Sequence, residues 1–384
     1  MEVYFDNSAT TRPYEEVCEE MSVAMREYFA NPSSLHKLGL KSQRRLVEAR
    51  EAIGKTINAS KEEILFTSGG SESNNTILRG LGKPGSHIIT TSFEHPSVLT
   101  TCKELEENGV KVTYLKLDSH GRINLDELKN NITKDTVLVS IMHVNNEIGT
   151  ISDLEAIGKI IKENSKRAKF HVDGVQSYGK FKIDVNKFNI DFYTVSAHKI
   201  HGPKGIGFLY MRKGLNIPSL ISGGSQESGK RAGTENLPAI VGMQKASELT
   251  ISKLDESFNN LVELKAYFVD RLQEIDNIII NSPIEEYVSP YILNVSFIGV
   301  RAEVLLHMLE EENVFVSTGS ACSSKKIISK GSHVLNAIGL KPNEIEGAIR
   351  FSFSGENTKA EVDYTMEALK KSLLFLRRFK RWKN

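Results

Sequence analysis

From about residue 60 to 212 the chain alternates short apolar runs, rich in Ile, Val and Phe, with longer amphipathic stretches. The runs "EILFTS", "HIITTS", "KVTYLKL", "TVLVSIM", "KFHVD", "DFYTVS" and "GIGFLYM" read as strands, and helix candidates such as Pro96 to Asn108 and Leu154 to Asn164 lie between several of them. The runs show little polar alternation, as strands covered on both faces do, so the pattern predicts an α/β fold around a mostly parallel sheet.

The pattern changes after the loop "SGGSQESGKRAGTENLP". A long helical stretch, roughly Ala239 to Asp276, exceeds what one packing face needs and reads as a connector between domains. Beyond it, "YILNVSF", a helix over Arg301 to Glu312, "NVFVS", "AIRFSF" and a last helix from Lys359 predict a smaller α+β domain. The expected division is a large domain over 15–258 and a small one built from 1–14 and 259–384.

Composition narrows the function classes. A chain of 384 residues, 40% hydrophobic and 25% charged, can bury a substantial core and more than one domain. Its 49 basic and 48 acidic side chains nearly cancel, so no global field recruits nucleic acid or an anionic membrane. The start "MEVYFDNSATT" lacks the basic head and apolar core of a signal peptide, and no window has membrane-spanning apolar length, so a cytoplasmic protein is expected. The three cysteines, Cys18, Cys102 and Cys322, are too few and too scattered for a disulfide framework or a metal cluster. No metal is expected.

Ligands of open α/β sheets bind beyond the carboxyl ends of the strands. There the chain delivers the glycine turn "TSGGSESNN" with Gly70 and Ser71, then His95, Asn145 and Asn146, Asp173 and Gln176, and finally Ser196, His198 and Lys199. A glycine turn into a helix offers N–H groups and a positive dipole end to a phosphate, although such turns also cap helices for structural reasons. Alone, a histidine placed like His95 is more often a satisfied structural residue than a catalytic one, and Asp173 alone reads as well as a helix cap or turn residue. Together with a lysine they point to pyridoxal phosphate, which needs an amine for a Schiff base, an acid beside the ring nitrogen and an anion site. Of the lysines in "SAHKIHGPKG", Lys199 directly follows the strand end and is the better candidate, whereas Lys204 lies in the turn toward the next strand.

The set "YFDNSATT", "FTSGGSESNN", "EHPSV", "SIMHVNNEIGT", "HVDGVQSYGK", "SAHKIHGPKGIG", "RAGTEN" and "STGSACSS" resembles the cysteine desulfurases of the NifS/IscS type, class-V-aminotransferase-like pyridoxal phosphate enzymes of fold type I. The resemblance runs in order from residue 3 to about 370. It implies a large domain with a seven-stranded sheet beside a smaller α+β domain that carries a catalytic-cysteine loop. It implies that Lys199 bonds the cofactor, that His95 stacks on the ring and shuttles protons, and that Asp173 pairs with the ring nitrogen. Gln176 and Asn146 would contact the phenolate side of the ring. Gly70, Ser71, Ser196 and His198 would bind phosphate, with Thr234 reaching across from the second subunit of a homodimer. Arg350 and Asn146 would bind the substrate, the guanidinium clamping the carboxylate of L-cysteine.

Cys322 lies in "VSTGSACSSKK", a stretch of small polar residues where a buried structural cysteine would be out of place, and Lys325 and Lys326 would favour its thiolate. Cys18 and Cys102 fall on helix candidates and read as structural. The resemblance thus implies conversion of L-cysteine to L-alanine, with sulfur held as a Cys322 persulfide for an acceptor protein such as an iron–sulfur scaffold or a tRNA-thiolation enzyme. Transamination, sulfinate cleavage or selenocysteine cleavage on the same scaffold, and a carrier without turnover, are the rival readings. Ser228 stands where an arginine is often seen in the family. The tail "KKSLLFLRRFKRWKN" reads either as ordinary solvated charge at a helix end or as a docking segment for an acidic scaffold protein or a tRNA-modifying partner.

Overall fold

The computed structural model describes residues 1–284, 287–318 and 331–380. Cys322, Lys325, Lys326 and the last four residues of the basic tail lie outside the described residues. The strands are β1 (Val3–Tyr4), β2 (Ile64–Thr67), β3 (His87–Thr91), β4 (Lys111–Leu115), β5 (Thr136–Met142), β6 (Lys169–Asp173), β7 (Phe192–Ser196), β8 (Gly207–Met211), β9 (Ile278–Ile280), β10 (Ile292–Phe297), β11 (Val314–Phe315) and β12 (Ala348–Ser352).

All seven expected runs form one sheet, in the order β2-β8-β7-β6-β5-β3-β4. Only β8 runs antiparallel to its neighbours, β2 and β7. Its connection from β7 is short and contains no crossover helix, which suits an antiparallel pair, whereas helices link the parallel strands. Consecutive side chains leave a strand on opposite faces, and the two cores show it. Phe66, Tyr193, Val195, Phe208 and Tyr210 join one core with Leu46, Ile53 and Met243. Leu65, Phe192, Leu209 and Met211 join the other with Ile77, Val98 and Cys102. Burial on both faces explains why these runs lack polar alternation. The edge strand β4 keeps Lys111 exposed, a usual guard against further strand pairing.

Cys102 is packed in the second core, but Cys18 is exposed on the helix Glu15–Glu27 and contributes nothing to packing there. The long helical stretch is not continuous. It divides at Lys253 into the helices Leu237–Ser252 and Leu254–Leu272, where Lys253 takes φ −101° and ψ 7°. The first packs in the core beside the large sheet and the second in the core of the small sheet, so the break re-aims the chain between two apolar faces.

The smaller sheet is antiparallel, in the order β12-β10-β9. Phe5, Phe268, Phe351 and Phe353 centre its core, with Phe5 and Phe353 meeting edge to face at 5.1 Å. The amino-terminal segment joins it through β1 against β11 and through a bridge between Asp6 and Ser352. That segment therefore runs between the small sheet and the carboxyl edge of the large one. Among the described residues no helix is long and apolar enough to cross a membrane, and no cluster of three metal-ligating side chains occurs.

Candidate functional site

The carboxyl edge of the large sheet gathers most of the residues singled out above. Asp173 ends β6 and is buried; its Oδ2 accepts a hydrogen bond from Asn74 Nδ2 at 2.8 Å and its Oδ1 one from the Val175 N–H at 3.1 Å. Asn74 also donates to Ser97 Oγ at 2.9 Å, and Ser97 Oγ lies 2.8 Å from His95 Nδ1. His95 caps the helix Pro96–Glu107 by accepting from the Ser97 N–H at 3.1 Å. With Nδ1 occupied as an acceptor, the neutral ring carries its proton on Nε2. Burial lowers the His95 pKa; Asp173 pulls it back, while Lys199 and His333 add to the fall. The imidazole is thus held neutral, in a fixed tautomer, within the field of both Asp173 and Lys199.

Ser196 ends β7, and the chain turns at once into a 3-10 helix, Ala197–Lys199. Lys199 Nζ donates to the carbonyls of Ser8 and Ala9 at 2.5 and 2.7 Å. His198 Nδ1 is 3.2 Å from Thr10 Oγ1, and its carbonyl accepts from Thr11, so this turn is stitched to the amino-terminal segment. Burial pushes the His198 ring down to about 4, with Lys199, Lys204 and Lys180 adding to the fall. Lys204 is exposed in the turn before β8, as its position after "IHGP" implies.

After β2 the chain enters the helix Gly70–Leu81 through Gly69, at φ 143°. A Cβ on Gly69 would sit 3.3 Å from Ser196 Oγ, and one on Gly70 only 2.8 Å from a Val175 methyl, so glycine lets the open helix end approach β7. Ser71 is exposed in the first turn. The loop after β8 is tied to this corner: Arg231 Nε donates to Glu72 at 3.1 Å, and Arg50 forks onto Glu227 with two contacts of 2.6 Å. Glu227 and Ser228 both take left-handed backbone, at φ 47° and 57°, and Thr234 is exposed on the same loop.

Arg350 comes from β12 of the small sheet. Its Nη2 donates to Asp6 Oδ1 at 2.7 Å and its Nη1 to the carbonyl of the half-buried Asn146 at 3.1 Å. Nε is buried without a hydrogen-bond partner among the described residues. Ser317 pairs with Arg350 through both backbone bonds, at 2.7 and 3.2 Å, five positions before Cys322 in the sequence.

The structure also assembles residues to which the sequence reading gave no role. Gln176 Nε2 donates to the Ser8 carbonyl at 3.0 Å, and Gln176 Oε1 accepts from Lys180 Nζ at 3.3 Å. Behind Lys199 a cleft of about 20 Å³ is lined by Tyr14, Lys180, His201, Thr250 and Tyr291, among others. Asn74, Asp6, Ser8 and Lys180 all stand inside quoted motifs. The recoverable signals are four-residue spacings: Asn74 follows Gly70 by four positions in the helix Gly70–Leu81, and Lys180 follows Gln176 by four in the turns after β6. The Asp6 pairing spans 344 positions and leaves no local trace.

These residues fit pyridoxal phosphate. A lysine amine, a buried carboxylate served by neutral donors, a neutral imidazole and an open helix end beside a serine hydroxyl converge at one sheet edge. Residues 3–365 match the family model described as aminotransferase class-V. The chain is 45% identical over 381 residues to the cysteine desulfurase IscS of Dictyoglomus turgidum, covering 98% of this chain and 95% of that one. A solved structure described as a NifS-like protein superposes with a TM-score of 0.92 at 40% identity, over 98% of this chain and all of the other. Another, described as SspA in complex with cysteine, gives 0.81 at 36% identity, over 93% of this chain and all of the other.

Proposed function

The chain belongs to the class-V aminotransferase family and is one of its pyridoxal phosphate-dependent cysteine desulfurases, and we propose that the strand-edge residues around Lys199 carry its reaction. The observation behind this reading is the convergence of Lys199, His95 and Asp173 at one edge, with Arg350 brought in from the other sheet. When bound, pyridoxal phosphate supplies an electron-accepting ring that stabilises negative charge at the α-carbon of an amino acid.

Lys199 would hold the cofactor through its amine and, as a free amine, would take the α-proton of L-cysteine. Asp173 would pair with the ring nitrogen and favour its protonated form. His95 would stack on the ring and pass a proton through Nε2, the nitrogen left available by Ser97. Gln176 and Asn146 would contact the phenolate side. Gly70, Ser71, Ser196 and His198 would bind the phosphate, with Thr234 supplied by the partner subunit of a homodimer. Arg350, with Asn146, clamps the substrate carboxylate.

The Cys322 thiolate attacks the substrate sulfur, forming an S–S bond as the carbon–sulfur bond breaks; the carbon skeleton takes up protons and leaves as L-alanine. The persulfide sulfur then passes to an acceptor protein, such as an iron–sulfur scaffold or a tRNA-thiolation enzyme. The division into 15–258 and 1–14 with 259–384 assigns ring chemistry to the first part and substrate clamping and sulfur transfer to the second. A cytoplasmic setting suits a persulfide carrier whose described cysteines, Cys18 and Cys102, are both free thiols.

The test is alanine and sulfide formation from L-cysteine with pyridoxal phosphate and a thiol reductant, run beside Cys322→Ser. Equal amounts of both products are expected, with turnover down at least about a hundredfold in the variant while cofactor absorption persists. Undiminished sulfur transfer by Cys322→Ser would remove Cys322 from the reaction. Alanine without sulfide would point to a different chemistry on the same scaffold.

A further inference from the structure

Lys180 is buried at the foot of the site, and neither its motif nor the reaction above assigns it a task. Its ammonium donates to Gln176 Oε1 at 3.3 Å and lies 5.3 Å from the centre of the Tyr291 ring. Gln176 in turn donates to the Ser8 carbonyl at 3.0 Å, the same oxygen that accepts from Lys199 Nζ at 2.5 Å. A continuous chain, Lys180 to Gln176 to Ser8 to Lys199, therefore joins the two amines.

The groups around Lys180 are otherwise basic or phenolic. Lys199 and His198 face it from the 3-10 turn, His201 from the residues after it, Arg350 from β12, and Tyr291 from the approach to β10. Tyr14 lines the same cleft, and Glu356 acts on Tyr14 and His201. Burial first, then Lys199 and Arg350, push the Lys180 amine down to about 7. An ammonium taken from water into such surroundings costs stability, which the Tyr291 face and one amide oxygen offset only in part. A leucine or methionine would fill the space without that cost and without an amine that can reach Gln176.

We propose that Lys180 is a positioning residue for the desulfurase reaction: it fixes the Gln176 amide and, for as long as it holds its own proton, acts as a second cation behind Lys199 that helps Lys199 give up its proton on the acidic side of neutrality. The proposal rests on the reading of Lys199 as the reactive base. Like charges held close favour loss of one proton, and neighbouring cations are an established way to make a lysine nucleophilic at neutral pH. The two amines then titrate as a pair, so a change at Lys180 is read at Lys199.

A second buried lysine provides the control. Lys265 is also pushed down to about 7, by burial alone, but donates to the Ser289 carbonyl at 3.0 Å and has no part in the relay. The experiment records the pH dependence of turnover and of cofactor absorption in the holoenzyme for wild type, Lys180→Met, Lys180→Gln, Lys265→Met and Lys199→Ala. Both Lys180 variants should move the rising acidic limb and the absorption midpoint up by about one pH unit, a tenfold change in the ionisation constant. Lys265→Met should lower thermal stability and move neither. An unmoved limb in folded, cofactor-loaded Lys180 variants overturns the proposal, as does failure of both to fold, which would make the lysine purely structural. Lys199→Ala separates the premise: if it keeps the wild-type absorption and turnover, the reading of Lys199 is wrong and the proposal falls with it.

Discussion

Asp173, at the end of β6, and Arg350, in the middle of β12, are both buried charges, yet the two sheets hold them in opposite ways. The large sheet gives Asp173 only neutral donors, the Asn74 amide and the Val175 N–H. Neutral dipoles stabilise an anion without cancelling its field, so the carboxylate can still attract a cation set against it. The small sheet gives Arg350 a carboxylate of its own, Asp6 at 2.7 Å, and a carbonyl, with Nε left over. Its charge is already matched, and an incoming carboxylate must share it. The difference follows what each partner does. In the roles proposed above, a cofactor that stays would be met by uncompensated charge, whereas a substrate that leaves every cycle would be met by a cation with a partner waiting.

Arg350→Gln tests that division most severely. Removing a bidentate charged contact should raise KM for L-cysteine about a hundredfold, while cofactor absorption is unchanged. Because Asp6 is then left partly buried and unpaired, thermal stability should also fall, by about 3 kcal/mol. Loss of cofactor with substrate affinity intact would break the comparison at its centre.

Asn74→Leu should act on the other side, and more gently. It removes one of the two donors to Asp173 while conserving volume, and a hydrogen bond to a buried charge is worth roughly 1.5–3 kcal/mol. Cofactor affinity should fall about tenfold, with little change in KM for L-cysteine. A KM rise as large as the loss of cofactor affinity would mean that the two charges are not separately served.

The contrast also shows what the chain makes legible. Strands buried on both faces leave unbroken apolar runs, so the large sheet could be read directly, and with it the edge that carries His95, Asp173 and Lys199. The break at Lys253 was not legible, because both halves are helical and only the direction of their apolar faces changes. Of the supporting residues, Asn74 and Lys180 had a weak signal in their four-residue spacing from Gly70 and Gln176. Asp6 and Ser8 had none, since they act through chain closure: the amino-terminal segment reaches residues nearly 200 and more than 340 positions away. Pairings of that kind exist only once both sheets are built.

Glu94 sharpens the comparison from within the large sheet. Like Asp173 it is a buried carboxyl at the strand edge, but its donors, Thr91 Oγ1 at 2.7 Å and the Met142 N–H at 3.0 Å, both serve Oε1. Oε2 has no partner among the described residues. Burial, with Asp173 adding to the rise, pushes the acid up to about 8, so it stays protonated at neutral pH. The folded protein then keeps a proton that the unfolded chain releases near its ordinary value, and stability must fall as pH rises from about 4.5 to 8. Glu94→Gln cannot ionise and keeps an acceptor for both donors. Relative to wild type, its melting temperature should gain steadily between pH 5 and 8, by an amount corresponding to a few kcal/mol at most, with no advantage at pH 5. Melting curves that stay parallel across this range would show that one well-served oxygen is enough to hold a buried carboxylate charged, and the number of donors would no longer separate Glu94 from Asp173.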